Sequence, residues 1–218
     1  MTGFSKDIDL LKYEPRLFMD LAFESQKLCS SNDGNTAGTT FTSPTANFID
    51  SGIKSGHVIF LQTTDMAINN CFEIVSVNSN TELTISVLRS DSSQVAAAVP
   101  TATAINWSIT TYDPQAHDAA AEILRYFDIN EGQDDSFNIA QIINSNDLIS
   151  LSVFNMLIYL MASIADTQPD SQMFWDKSSH YRHSFGHLKS KVKLLFDTDN
   201  DGQSNHEISG GSIRLKRS

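Results

Sequence analysis

The sequence predicts an α+β protein, a mainly α-helical bundle into which a small β-barrel or sandwich is inserted after the first helix. Three observations carry this expectation. Apolar residues recur at helical spacing at both ends of the chain. Between residues 38 and 111 charges thin out, and short runs of β-branched and aromatic residues alternate with polar ones. A lone amphipathic helix has nothing to bury its face against, so the first helix is expected to join the later ones rather than stand apart. The predicted domains are therefore 1–37 with 112–218 as a helical bundle carrying a C-terminal arm, and 38–111 as the inserted β domain.

The first helix is predicted from about Glu14 to Ser30, with Pro15 at its first turn and Leu17, Phe18, Leu21, Ala22, Leu28 and Cys29 on one face. Asn32, Asp33, Gly34 and Asn35 then read as its stop. Four strands are predicted at Val58–Leu61, Phe72–Val77, Leu83–Leu88 and Ile105–Ile109, with Asn78–Thr81 as a hairpin connection. Asp113 and Pro114 restart helix, and Ala116, Ala119, Ala120, Ile123, Leu124 and Phe127 form its apolar stripe. A polar turn is expected over 130–135. Asn146 or Asp147 opens a third helix reaching about Ala165, and a fourth is predicted from about Pro169 to Phe196, with Gly186 inside it.

The chain has 218 residues, 40% apolar, with 13 Phe and 2 Trp, enough to bury a sizeable core. Its net charge is −11 and its pI near 4.8, which disfavours general nucleic-acid binding through a basic face. Cys29 and Cys71 read as buried free thiols rather than a disulfide. The N-terminus lacks the apolar core of a secretory signal. The longest apolar stretch, Leu148 to Ala165, is interrupted by Ser150, Ser152, Asn155 and Ser163, so a soluble protein made in the cytoplasm is expected, with no membrane span.

The sharpest local signal is Asp197-Thr198-Asp199-Asn200-Asp201-Gly202. Oxygen ligands at alternate residues before a glycine bend suit a hard cation such as Ca²⁺. Asp197, Asp199, Asp201 and Glu207 are the candidate ligands, with Asn205 at the ninth position. An EF-hand would place its bidentate Glu at the twelfth, which is Ile208, and would continue as helix rather than Ser209-Gly210-Gly211. The alternative is an Asx/Gly turn joining the last helix to a terminal strand. His180, His183 and His187 share a helix face with Asp176, as a metal-contacting row, a pH-sensitive patch or solvated histidines. Asp134 and Asp135 read as solvated loop acids. No nucleophile elbow, phosphate-binding loop, dinucleotide fingerprint or zinc-protease motif occurs, so no catalytic residue is expected and the protein is not read as an enzyme. The basic, alternating Ile213-Arg214-Leu215-Lys216-Arg217 suggests an arm that docks on an acidic neighbour, by edge-strand addition for example, with a frayed tail as the alternative.

Several of these segments resemble a known family in their order along the chain. Asp9-Leu10-Leu11-Lys12-Tyr13-Glu14-Pro15-Arg16-Leu17-Phe18, the Asn146-Asp147-Leu148 helix start, Trp175-Asp176-Lys177 with Tyr181, the Phe196-Asp197 to Asp201-Gly202 turn and the closing Ile213–Arg217 are similar to the head–tail connector, or adaptor, proteins of tailed bacteriophages. The resemblance covers the helical parts, about two thirds of the chain. It implies a virion structural protein at the head–tail junction, with helical bundles in a dodecameric ring and a C-terminal arm reaching the portal protein or an adjoining subunit. Portal and tail or neck proteins would be its partners, and DNA would pass without specific binding during genome ejection. The β insertion is absent from the small members of that family. The competing expectation is a Ca²⁺-dependent binding module without catalytic activity.

Overall fold

The computed structural model describes residues 3–129, 139–169 and 171–209. It divides into two compact units, Lys6–Tyr112 and a second formed by the extreme N-terminus with the chain from Asp113 onward.

The first unit is a closed barrel of six antiparallel strands in the order β1-β2-β5-β4-β3-β6. The strands are β1 (Lys27–Ala37), β2 (Thr40–Thr42), β3 (Val58–Gln62), β4 (Asn69–Val77), β5 (Glu82–Ser86) and β6 (Ala102–Thr110). Ile59 and Leu61, Phe72 and Ile74, Leu83 and Ile85, and Ile105, Trp107 and Ile109 alternate along their strands into one core. Phe41 and Phe48 meet the Trp107 ring edge-on, at 5.7 and 5.6 Å between centroids. A six-stranded barrel is narrow enough for such side chains to fill it. Outside the barrel, a short helix, α1 (Asp7–Leu11), and two 3-10 turns, Pro15–Phe18 and Glu24–Gln26, lead into β1. Tyr112, fully buried, ties this segment down. Its hydroxyl donates to the Leu17 carbonyl and its N–H to Asp7 Oδ1, both at 2.8 Å.

The expectation of a mainly α-helical bundle is overturned by this barrel, with helix at 34% and strand at 26% of the structure. The helix predicted over 14–30 is not formed. Its place is taken by the two 3-10 turns and the first residues of β1. The expected domain boundary at residue 37 falls at the end of β1, at the turn into β2. Gly38 makes that turn with φ of 63°, the left-handed conformation glycine accepts at least cost. Closure explains the difference. β1 pairs with β2 on one side and β6 on the other, and it makes up the last wall of the barrel although Ser30 to Asn35 have little intrinsic strand preference. Its ladder to β6 shifts register three times, including between Ser31 and Gly34.

The second unit holds α2 (Asp113–Tyr126), α3 (Asp147–Ala165), α4 (Ser171–Lys189) and a two-stranded ribbon of β7 (Lys193–Phe196) and β8 (His206–Ser209). α2 buries Ala116, Ala119, Ala120, Ile123 and Leu124, the stripe read from the sequence. α3 is long and apolar enough to cross a membrane by length and composition, yet 67% of its most apolar stretch is buried inside the protein. It packs against α4, where Ser178 Oγ donates to the Ile158 carbonyl at 2.9 Å and Phe154 stacks on Tyr181. The fourth helix ends at Lys189 rather than Phe196. Lys193–Phe196 is strand, held on one side by β8 and on the other by Ile143 and Asn144. Gly186 lies within α4 without interrupting it.

Candidate functional site

The nine residues joining β7 to β8 begin with Asp197, mostly buried, whose N–H donates to the Gln141 carbonyl at 2.9 Å. Its two carboxylate oxygens accept the backbone N–H groups of Asp201 at 3.2 Å and Gly202 at 2.8 Å. The chain can curl back in this way because Asn200 and Gly202 take positive φ, 61° and 85°. Burial pushes the Asp197 pKa up. The N–H groups of Gly202, Asn200 and Asp201 and the side chain of Asp199 outweigh that and hold it below the ordinary aspartate value.

Asp197, Asp199 and Asp201 each bring a carboxylate oxygen within 4.8 Å of the others. Three negative groups at this separation repel one another, and a hard cation between them would relieve that repulsion. Asp199 and Asp201 are exposed, so waters could complete a shell of six to eight oxygens around Ca²⁺. The other predicted ligands are elsewhere. Glu207 lies on β8, where Oε1 meets Lys193 Nζ at 2.6 Å. The Asn205 side chain closes the loop onto Thr198, accepting its N–H at 3.1 Å and donating to its hydroxyl at 2.8 Å. Ile208 stands opposite Leu194 in the ribbon.

His180, His183 and His187 all lie exposed on α4. The predicted arm, Ile213 to Arg217, and the paired acids Asp134 and Asp135 lie outside the described residues.

Two arrangements in the barrel unit were not legible in the sequence. Asp33, on β1, accepts Ser43 Oγ at 2.5 Å, Thr45 N–H at 2.9 Å, Thr45 Oγ1 at 2.7 Å and Trp107 Nε1 at 3.2 Å. Burial raises its pKa, but these donors overcome burial and depress it far below the usual carboxylate range. Beside Gly34 this residue reads as a turn former, and only the folded barrel brings its partners together. Asp7 and His57 are both buried, with a carboxylate oxygen and a ring nitrogen within 4.8 Å. No local pattern links positions 50 residues apart. Both Cys29, half-buried on β1, and Cys71, buried on β4, are free thiols.

In the helical unit, a cleft of about 410 Å³ opens between α2 and α3, lined by Gln115, Asp118, Glu122, Arg125, Met156 and Tyr159. Glu122 Oε2 accepts Asn155 Nδ2 at 2.9 Å and the Tyr159 hydroxyl at 3.4 Å. Compared with known proteins, the chain matches no family model, no curated protein and no solved structure.

Proposed function

We propose that this chain is a structural assembly protein without chemistry of its own, a head–tail adaptor of a tailed-bacteriophage virion whose copies close into a ring. The ring would join the portal to the tail or neck and let DNA pass. The observation that carries the reading is the order of five short segments that resemble the adaptor family, from Asp9–Phe18 to Ile213–Arg217. The net charge of −11 suits a conduit to which DNA must not adhere. Large apolar side chains left on helix surfaces, Tyr159 at 57% and Trp175 at 43% exposure, are the kind of groups that subunit contacts cover. Repeated head-to-tail contacts of one such face would close a ring.

Labelling the protein on particles from its source and locating the label by electron microscopy tests this directly. Label confined to the head–tail junction supports the adaptor. Label absent from particles, or spread over capsid or tail tip, overturns it.

A second reading, a Ca²⁺-dependent binding module, is favoured by one specific observation, the three carboxylates of Asp197, Asp199 and Asp201 within 4.8 Å. It requires a rise in melting temperature with millimolar Ca²⁺ that Asp199→Ala removes. A calorimetric trace indifferent to Ca²⁺ eliminates it.

A further inference from the structure

α4 is continuous from Ser171 to Lys189, so helix geometry alone decides which of its side chains share a side. With about 100° between successive residues, the buried Phe174, Ser178, Tyr181 and Phe185 fall within one narrow stripe. Asp176, His180, His183 and His187 fall within another, roughly 160° round the helix. All four of these are exposed.

The members of this outer stripe differ in what already holds them. Asp176 Oδ1 accepts Gln172 Nε2 at 2.8 Å. The His180 ring leans on Tyr181, edge-on at 5.5 Å. The rings of His183 and His187 carry no hydrogen bond or ion pair among the described residues, and they are one helical turn apart. Arg182, next to His183 in sequence, is turned about 100° away from it around the helix. Lys189, two residues after His187, has its Nζ over the Tyr126 ring at 3.9 Å, which takes that charge up in a contact of its own.

We propose that His183 and His187 form a chelating site for a late first-row transition-metal ion, Cu²⁺, Ni²⁺ or Zn²⁺. Residues four apart on a helix have their Cβ atoms about 5–6 Å from one another. Two imidazoles at that spacing can converge on one ion with metal–nitrogen distances of about 2.0–2.1 Å, the spacing zinc-binding helices use for a histidine pair. Imidazole nitrogen selects this group of metals, with Cu²⁺ at the head of the affinity order. The Asp197 loop offers only hard oxygen donors and selects the opposite class. Positions on the ion not taken by the two rings stay open to water. His180 is one turn nearer the N-terminus, and its edge-on contact with Tyr181 keeps it outside the pair. The site stands on α4 alone and is independent of the adaptor reading.

Isothermal titration of the full chain, purified without a histidine tag, with Ni²⁺ and Cu²⁺ tests the site. One metal equivalent is expected, with affinity lower by roughly tenfold or more in His183→Asn and in His187→Asn, since even the loss of groups that merely support a ligand costs metal sites that much. His180→Asn should leave the affinity within about twofold, and excess Ca²⁺ should not compete. No heat with either metal, or an unchanged isotherm in the His183→Asn/His187→Asn double variant, overturns the proposal.

Discussion

Glu207 Oε1 lies 2.6 Å from Lys193 Nζ, diagonally across the β7–β8 ribbon, where Glu207 itself is registered against Leu195. The pairing commits to a neighbouring strand the one glutamate that sequence spacing offered as a cation ligand. Any Ca²⁺-induced rise in melting temperature should therefore be the same in Glu207→Ala as in the parent protein, while Asp199→Ala abolishes it. Because both partners are about half exposed, Lys193→Ala itself should cost no more than about 1 kcal/mol. A calcium response lost with Glu207→Ala would show that the glutamate leaves Lys193 to join the loop.

Asp33 holds β1 to the Ser43–Thr45 turn and to the Trp107 indole, so replacing its carboxylate leaves several donors poorly matched. Asp33→Asn should lower unfolding free energy by about 1–3 kcal/mol in urea titrations at pH 7.

The same carboxylate gives a pH dependence with a defined sign. Its folded pKa lies below the unfolded value, so its contribution is fully present above the unfolded value of about 3.9 and is lost as pH falls through the lower folded value. Between pH 7 and pH 3, the parent should lose more stability than Asp33→Asn. Equal losses would mean that other groups carry the acid sensitivity.

Glu73 is buried on β4, and Arg89 meets it with two guanidinium nitrogens, at 3.1 Å from Nε and 2.6 Å from Nη2. A further guanidinium nitrogen, Nη1, donates to the Ser92 carbonyl at 3.0 Å and to that of Gln94, so one side chain organises the loop after β5. Arg89→Ala strands a carboxylate in the barrel wall and should cost about 3–5 kcal/mol. Limited proteolysis should then cut within residues 90–98 faster than in the parent, provided the barrel still forms by circular dichroism.

Gly34 sits where a Cβ atom would come within 2.8 Å of both Phe41 Cε2 and Trp107 Cδ1. Both rings are packed in the barrel core and cannot swing aside freely. Gly34→Ala should destabilise the barrel by about 1–3 kcal/mol, with a shift in tryptophan fluorescence, because Trp107 is one of the two rings that the new methyl group meets.

Burial pushes the thiols of Cys29 and Cys71 up to about 11 and about 12. At pH 8 the native protein should react with an aromatic disulfide reagent on the order of a hundredfold more slowly than in urea. A fast equivalent in the native state would assign to one thiol an exposure that the barrel does not give it.

Several elements follow from local pattern alone. The Asp113-Pro114 start and the alanine-rich stripe determine α2, and the long apolar run determines α3. A continuous apolar run marks the strand at 58–61, and period-two alternation marks the cores of the other three, at 72–77, 83–86 and 105–109. The three aspartates of the 197–202 loop were also legible, because a turn keeps residues that are close in sequence close in space. Tertiary structure decided the rest, and the reason is pairing. Ser30 to Asn35 carry no strand preference and become β1 only because the barrel needs a wall between β2 and β6 and supplies Asp33 with donors from 10, 12 and 74 residues away. Val192 and Leu195 continue the helical spacing of α4, yet Lys193–Phe196 becomes strand because β8 and Asn144 offer it hydrogen bonds on both sides. Glu207 has the right chemistry for a cation and lies close to the loop in sequence, but the ribbon brings it against Lys193 instead.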